Sequence, residues 1–166
     1  MKKYALILTI AAMICLMSGS AMAATQATHT VSFSIASFQE ISSTGTATLA
    51  ITTVTPGEDP DPVEDLTNVK YSFTTNLATR RITAQLSADM PAEVTLQIKS
   101  AIPSGTGGGT WAGSEYQTIT GSTAVTIATG GKYRASDTQI SYKLSCTQDA
   151  DPVNASRTCT LTMLSQ

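Results

Sequence analysis

Val69-Lys70-Tyr71-Ser72-Phe73-Thr74-Thr75-Asn76-Leu77-Ala78-Thr79-Arg80-Arg81-Ile82-Thr83-Ala84-Gln85-Leu86 carries the pattern that decides the fold. Val69, Tyr71 and Phe73 share one parity, with Lys70 and Ser72 between them. Ile82, Ala84 and Leu86 repeat the arrangement, with Thr83 and Gln85 between them. A period of two sends alternate side chains to opposite faces of an extended chain. Each run therefore predicts a strand with one apolar and one polar face. Asn76–Thr79 reads as a tight hairpin joining them.

The same period recurs outward in both directions. Ahead of it stand Val31, Phe33 and Ile35, then Ala47, Leu49 and Ile51. Behind it stand Val94, Leu96 and Ile98, then Val125 and Ile127. Ile140, Tyr142, Leu144 and Cys146 share a face, as do Cys159, Leu161 and Met163. Pro56, Pro60, Pro62 and Pro91 interrupt between runs, and Gly130-Gly131 is a second hairpin signal. No helical period stands out. Threonine, 28 of 166 residues, is β-branched and suits a half-exposed pleated surface. These signs predict an all-β, antiparallel, immunoglobulin-like sandwich of about seven to nine strands.

The N-terminus sets the expected compartment. Lys2 and Lys3 precede an almost wholly apolar run from Ala5 to Met17, and Ala21-Met22-Ala23 closes it. A charged start, a short apolar stretch and A-x-A make a secretory signal peptide, residues 1–23, cleaved before Ala24. The run is shorter than the roughly 20 residues that span a bilayer. Residues 24–166 then form a single domain, exported to the periplasm, the cell surface or beyond, with no transmembrane segment. A domain of that size buries about 68–70% of its unfolded surface. Without Lys2 and Lys3 the balance is 8 basic against 12 acidic residues, a net charge of −4. Nothing remains to neutralise a run of phosphates, so nucleic acid is not an expected partner.

Cys146 and Cys159 are the cysteines outside the leader. Were their strands the last two and paired, the thiols would face each other at a Cα spacing of about 5.5 Å. A disulfide there would close a short loop, worth about 3 kcal/mol in the chain-entropy model. Export favours oxidation, and the absence of C-x-x-C argues for a structural rather than a redox bond.

Two loops are candidate ligand sites. Gly57–Asp65 carries five carboxylates, Glu58, Asp59, Asp61, Glu64 and Asp65. Asp59, Asp61 and Asp65 offer the hard oxygen ligands calcium prefers, although the spacing is not an EF-hand. The bland reading is a solvated loop stiffened by proline, with no cofactor. Pro103–Gly113 is glycine-rich and holds the single tryptophan, Trp111, with Tyr116 nearby. On a mobile loop the pair offers stacking faces for a glycan or an anchor for a partner. The bland reading has Trp111 folded back over the sandwich mouth. The glycines are not a phosphate loop, since neither Lys-Ser/Thr nor a helix follows.

Enzymatic chemistry finds little support. His29 is the single histidine, so a Ser–His–Asp triad or a His-based metal site would depend on it. The acidic residues cluster in loops, and aromatic residues to line a sugar cleft are few.

The leader, the alternating segment at 25–38, the threonine-rich strands and one cysteine pair together loosely resemble exported bacterial pilin-like and adhesin-like β-sandwich domains. The resemblance implies a fimbrial-type subunit, in which an N-terminal segment completes a neighbour's sheet by strand addition. Val31, Phe33 and Ile35 would then be its apolar teeth. The chain departs from those subunits in its late cysteines and in a last strand without an aromatic residue. The reading is a non-enzymatic structural or adhesive surface protein, with protein partners or self-association through sheet edges. The alternative is an extracellular carbohydrate- or calcium-binding module.

Overall fold

The computed structural model describes residues 27–166. The expected signal peptide, residues 1–23, lies outside them. The chain divides into two units, residues 1–35 and 36–166, and the strands of the described residues lie in the second. Within the first, residues 27–35 form no strand and are exposed.

Among the described residues ten strands follow one another: β1 (Gln39–Thr44), β2 (Val63–Thr75), β3 (Arg80–Leu86), β4 (Val94–Ser100), β5 (Gly105–Thr106), β6 (Trp111–Ala112), β7 (Gln117–Thr118), β8 (Val125–Gly130), β9 (Tyr133–Cys146) and β10 (Cys159–Ser165). They make two antiparallel sheets. The first runs β1-β2-β9-β4-β7, with β5 added on β9, and the second runs β10-β3-β8-β6. The alternation read from the sequence is the alternation of burial. Tyr71, Phe73, Leu96, Ile98, Ile140 and Tyr142 enter the core from the first sheet. Ile82, Ala84, Leu86, Ile127 and Met163 enter it from the second. Each large apolar side chain taken from water contributes roughly 1.5–3 kcal/mol.

Both expected hairpins are corrected. β2 and β3 lie in different sheets, and so do β8 and β9. Thr75 is opposite Tyr133, and Arg80 is opposite Gly130. A ribbon of β2 with β9 thus continues as β3 with β8 after bending at Asn76–Thr79 and at Gly131-Lys132. Thr79 takes a left-handed φ of 51° in that corner. The turn is as tight as the residues implied, but it changes sheets. Folding the ribbon sends Phe73 and Ile82 into one core from opposite sides; a flat hairpin would have left that face to find another cover.

The glycine-rich stretch is a strap between the sheets. β5 pairs with β9, and β6 pairs with β8. Trp111 is 7% exposed, with its ring centroid 4.4 Å from that of Phe73. Its Nε1–H donates to the Gly131 carbonyl at 3.0 Å. A Cβ on Gly130 would overlap the indole, so glycine is required there.

The disulfide expected between Cys146 and Cys159 is not formed, and both thiols are free. Their strands do not pair. Cys146 ends β9 opposite Val94 in the first sheet, whereas Cys159 starts β10 opposite Leu86 in the second. The expected strand at Ala47–Ile51 also forms no ladder. Among the described residues no helix is long and apolar enough to cross a membrane.

Candidate functional site

β1 is an edge of the first sheet and β10 an edge of the second. β1 pairs on one side with β2, and β10 on one side with β3. The outward backbone groups of each carry no ladder. At one end the two edges draw together, where Gln39 Nε2 donates to the Met163 carbonyl at 3.4 Å. Toward the other end they part into a groove of about 420 Å³. Leu86, Leu96, Ile140 and Tyr142 form its floor, and Val69, Leu144 and Leu161 its flanks. Met163 is buried at the closed end of β10, whereas Cys159 and Leu161, on the same face, are half-buried where the groove opens.

Tyr142 crosses the groove floor from the first sheet and sets its hydroxyl against the Cys159 thiol of the second. Burial raises the phenol far above its ordinary value, and the neighbouring thiol adds to the rise. Burial also pushes the Cys159 thiol up. A thiol kept protonated is a poor nucleophile, so Cys159 acts here as a small apolar wall.

One segment lies along the mouth. Gly45 ends β1 with a left-handed φ of 94°, and a Cβ there would strike the Asn68 carbonyl. Thr46–Ile51 then forms no strand, with Ala47, Leu49 and Ile51 half-buried and Thr46, Thr48 and Ala50 exposed. Ala47 and Leu49 line the groove. Asp65 holds this segment. Its carboxylate accepts from Thr48 N at 3.3 Å, Thr67 N at 3.3 Å, Asn68 N at 3.1 Å and Asn68 Nδ2 at 3.0 Å. Asp65 is 6% exposed, at the register shift of β2 that falls between Asp65 and Val69. The Asn68 side-chain bond, ahead of the opposing effect of burial, holds its carboxyl below the usual carboxylate range.

The three expected calcium ligands do not converge. Asp65 is spent on its own backbone, and Asp59 accepts from Gln148 N at 3.0 Å, tying two loops together. Among the described residues no group of three or more His, Cys, Asp or Glu could hold a metal ion. Trp111 and Tyr116 also lie apart. Trp111 sits in the core, so neither face of its indole is open to a sugar. Tyr116 is half-buried on the outer face of the first sheet. Lys99 Nζ and Lys143 Nζ stand 5.6 and 5.9 Å from its ring centre. Burial and then the nearby Glu64 charge raise its phenol.

Val31, Phe33 and Ile35 are 70%, 86% and 78% exposed. Sequence reading singled them out and read Ala47–Ile51 as a strand, but it found neither the groove nor the unpaired course of that segment along its mouth. The signal for the latter was Asp65-x-x-Asn68, a short polar pattern that bonds nearby backbone in preference to a ladder. Comparison of the chain with protein-family models, with curated proteins and with solved structures gave no match.

Proposed function

We propose that the protein is an exported, non-enzymatic structural or adhesive surface protein, built as an immunoglobulin-like sandwich and assembling by β-strand addition. The observation that carries the reading is the alternation Val31, Phe33, Ile35, apolar at every second residue, exposed and without a strand partner. Three large apolar side chains in water at strand spacing suit a partner sheet. Burying them contributes about 5–9 kcal/mol. Association costs about 4–15 kcal/mol in lost freedom, so main-chain bonds to an unpaired sheet edge are needed as well. The open edges of β1 and β10 can supply them.

The test is the mass of the full chain by light scattering on a sizing column, over a range of concentrations. Species above the monomer are expected, and Phe33→Asp should reduce them to monomer without changing the melting temperature. A monomer at every concentration, or assemblies indifferent to Phe33→Asp, would refute strand addition.

A further inference from the structure

We infer that the groove between β1 and β10 is a binding site for a single-chain carboxylate, a fatty acid, with its chain on the apolar floor and its head group on Arg157. This goes beyond strand addition, which draws on the outward backbone of the two edges. The ligand draws on the side chains between them.

The groove is an apolar slot with one charge. Of the side chains that line it, Arg157 alone is charged. The floor of Leu86, Leu96, Ile140 and Tyr142 is buried. On the walls Leu49, Val69, Met90, Leu144 and Leu161 pack against the core and stay half-buried. Apolar side chains left partly in water around one gap gain from a ligand that takes them out of it. The space of about 420 Å³ is within the roughly 300–1,000 Å³ of small-ligand sites. Two strand edges bound it along its length, which suits one unbranched chain over a fused ring or a pair of chains.

The charge stands where a head group would be. Arg157 precedes β10, at the end where the groove opens. Two backbone carbonyls hold its guanidinium: Nε–H donates to Asp89 at 3.1 Å and Nη1–H to Ser156 at 2.9 Å. Neither bond uses Nη2, and neither neutralises the charge. Among the described residues the ion pairs are Lys99 with Glu115 and Lys143 with Glu64, so Arg157 has none. The Asp89 carboxylate is engaged elsewhere, accepting from Gly121 N at 2.7 Å and Ser122 N at 3.2 Å. A positioned, unpaired guanidinium at the rim of an apolar slot favours a carboxylate, whose two oxygens match its fork of donors.

Thr46–Ile51 gives the site a wall that can yield. Ala47 and Leu49 line the groove from a segment without a ladder, pinned by the bond from Thr48 N to Asp65. Such a segment moves aside at less cost than a paired strand, which lets the chain of the ligand in.

The test is isothermal titration calorimetry of the full chain with decanoate and with decanol, below micelle-forming concentrations. Decanoate should bind at least about tenfold tighter than decanol, the difference that a hydrogen bond to a charged group makes. Arg157→Gln should remove that difference and leave decanol binding as it was. Lengthening the carboxylate should tighten binding by up to about fourfold per methylene until the slot is full. Ala47→Trp, which plugs the slot from a segment outside both sheets, should abolish binding of both at an unchanged melting temperature. No heat with decanoate, binding that Ala47→Trp leaves intact, or equal affinity for acid and alcohol would each overturn the inference. So would flotation of the protein with phosphatidylglycerol vesicles without any binding of decanoate. A chain that stays monomeric in light scattering yet binds decanoate refutes strand addition and leaves this site standing; assemblies that bind no decanoate do the reverse.

Discussion

The two seams between the sheets are built in opposite ways. On the β6/β7 side the sheets are stitched together. Gln117 Nε2, on the first sheet, donates to the Thr126 carbonyl of the second at 2.9 Å. The glycine-rich strap drives Trp111 between Phe73 and Gly130. On the β1/β10 side one bond at the end, Gln39 to Met163, joins the edges, and the rest is a groove with a buried floor and half-buried flanks. The same alternating strands feed both seams. What separates them is filling: Trp111 occupies the closed gap, whereas on the open side Tyr142 reaches across to Cys159 and the space beside it stays empty. A closed seam serves stability alone. An open one between unpaired edges is a liability in a monomer unless something is meant to fill it.

The contrast breaks most visibly at Trp111. Trp111→Ala should cost about 3–5 kcal/mol, read as a lower urea midpoint with an unchanged slope, because it opens a cavity against Phe73 that the strap cannot collapse to fill. Leu161→Ala, in the open seam, should cost no more than about 1–2 kcal/mol in the same measurement, since its side chain is half in water already. Equal losses at the two positions would mean that the groove is as tightly packed as the closed seam.

The smallest effect is pH-dependent and belongs to the open side. Asp65 is more acidic in the folded chain than in the unfolded one, whose value is near 3.8. The unfolded state therefore binds the proton more readily. The stability that Asp65 contributes is complete above that value and is lost as pH falls through the lower, folded value. The urea midpoint should fall as pH drops below about 3.8, and Asp65→Asn should flatten part of that fall. An identical acid profile in the variant would show that the Thr48, Thr67 and Asn68 bonds do not depend on the charge.

Much of the fold was legible because strand alternation is a local property. Tyr71, Phe73, Ile82 and Ala84 point inward in the structure as their parity required. The turns were misread for the same reason. Asn76–Thr79 and Gly130-Gly131 are short and polar or flexible, and nothing in them states whether the next strand pairs with the last or crosses the core. The cysteine pairing failed with them, since it assumed that β9 and β10 were neighbours. Trp111 shows a further limit. Glycines around a tryptophan suggested a mobile anchor, yet they are there because the strap's backbone and Gly130 pass so close to their neighbours.

The sequence by itself determined an all-β chain, the inward face of each long strand, and an N-terminal segment with apolar teeth at Val31, Phe33 and Ile35. Each follows from side-chain period and residue type within a few positions. Only the tertiary structure decided which strands share a sheet, that Trp111 closes one seam, and that Gly45 and Asp65 lay Thr46–Ile51 along the other. Those outcomes depend on which distant backbone supplies the next ladder and on how much volume is left between two sheets. Neither quantity is local to any stretch of residues.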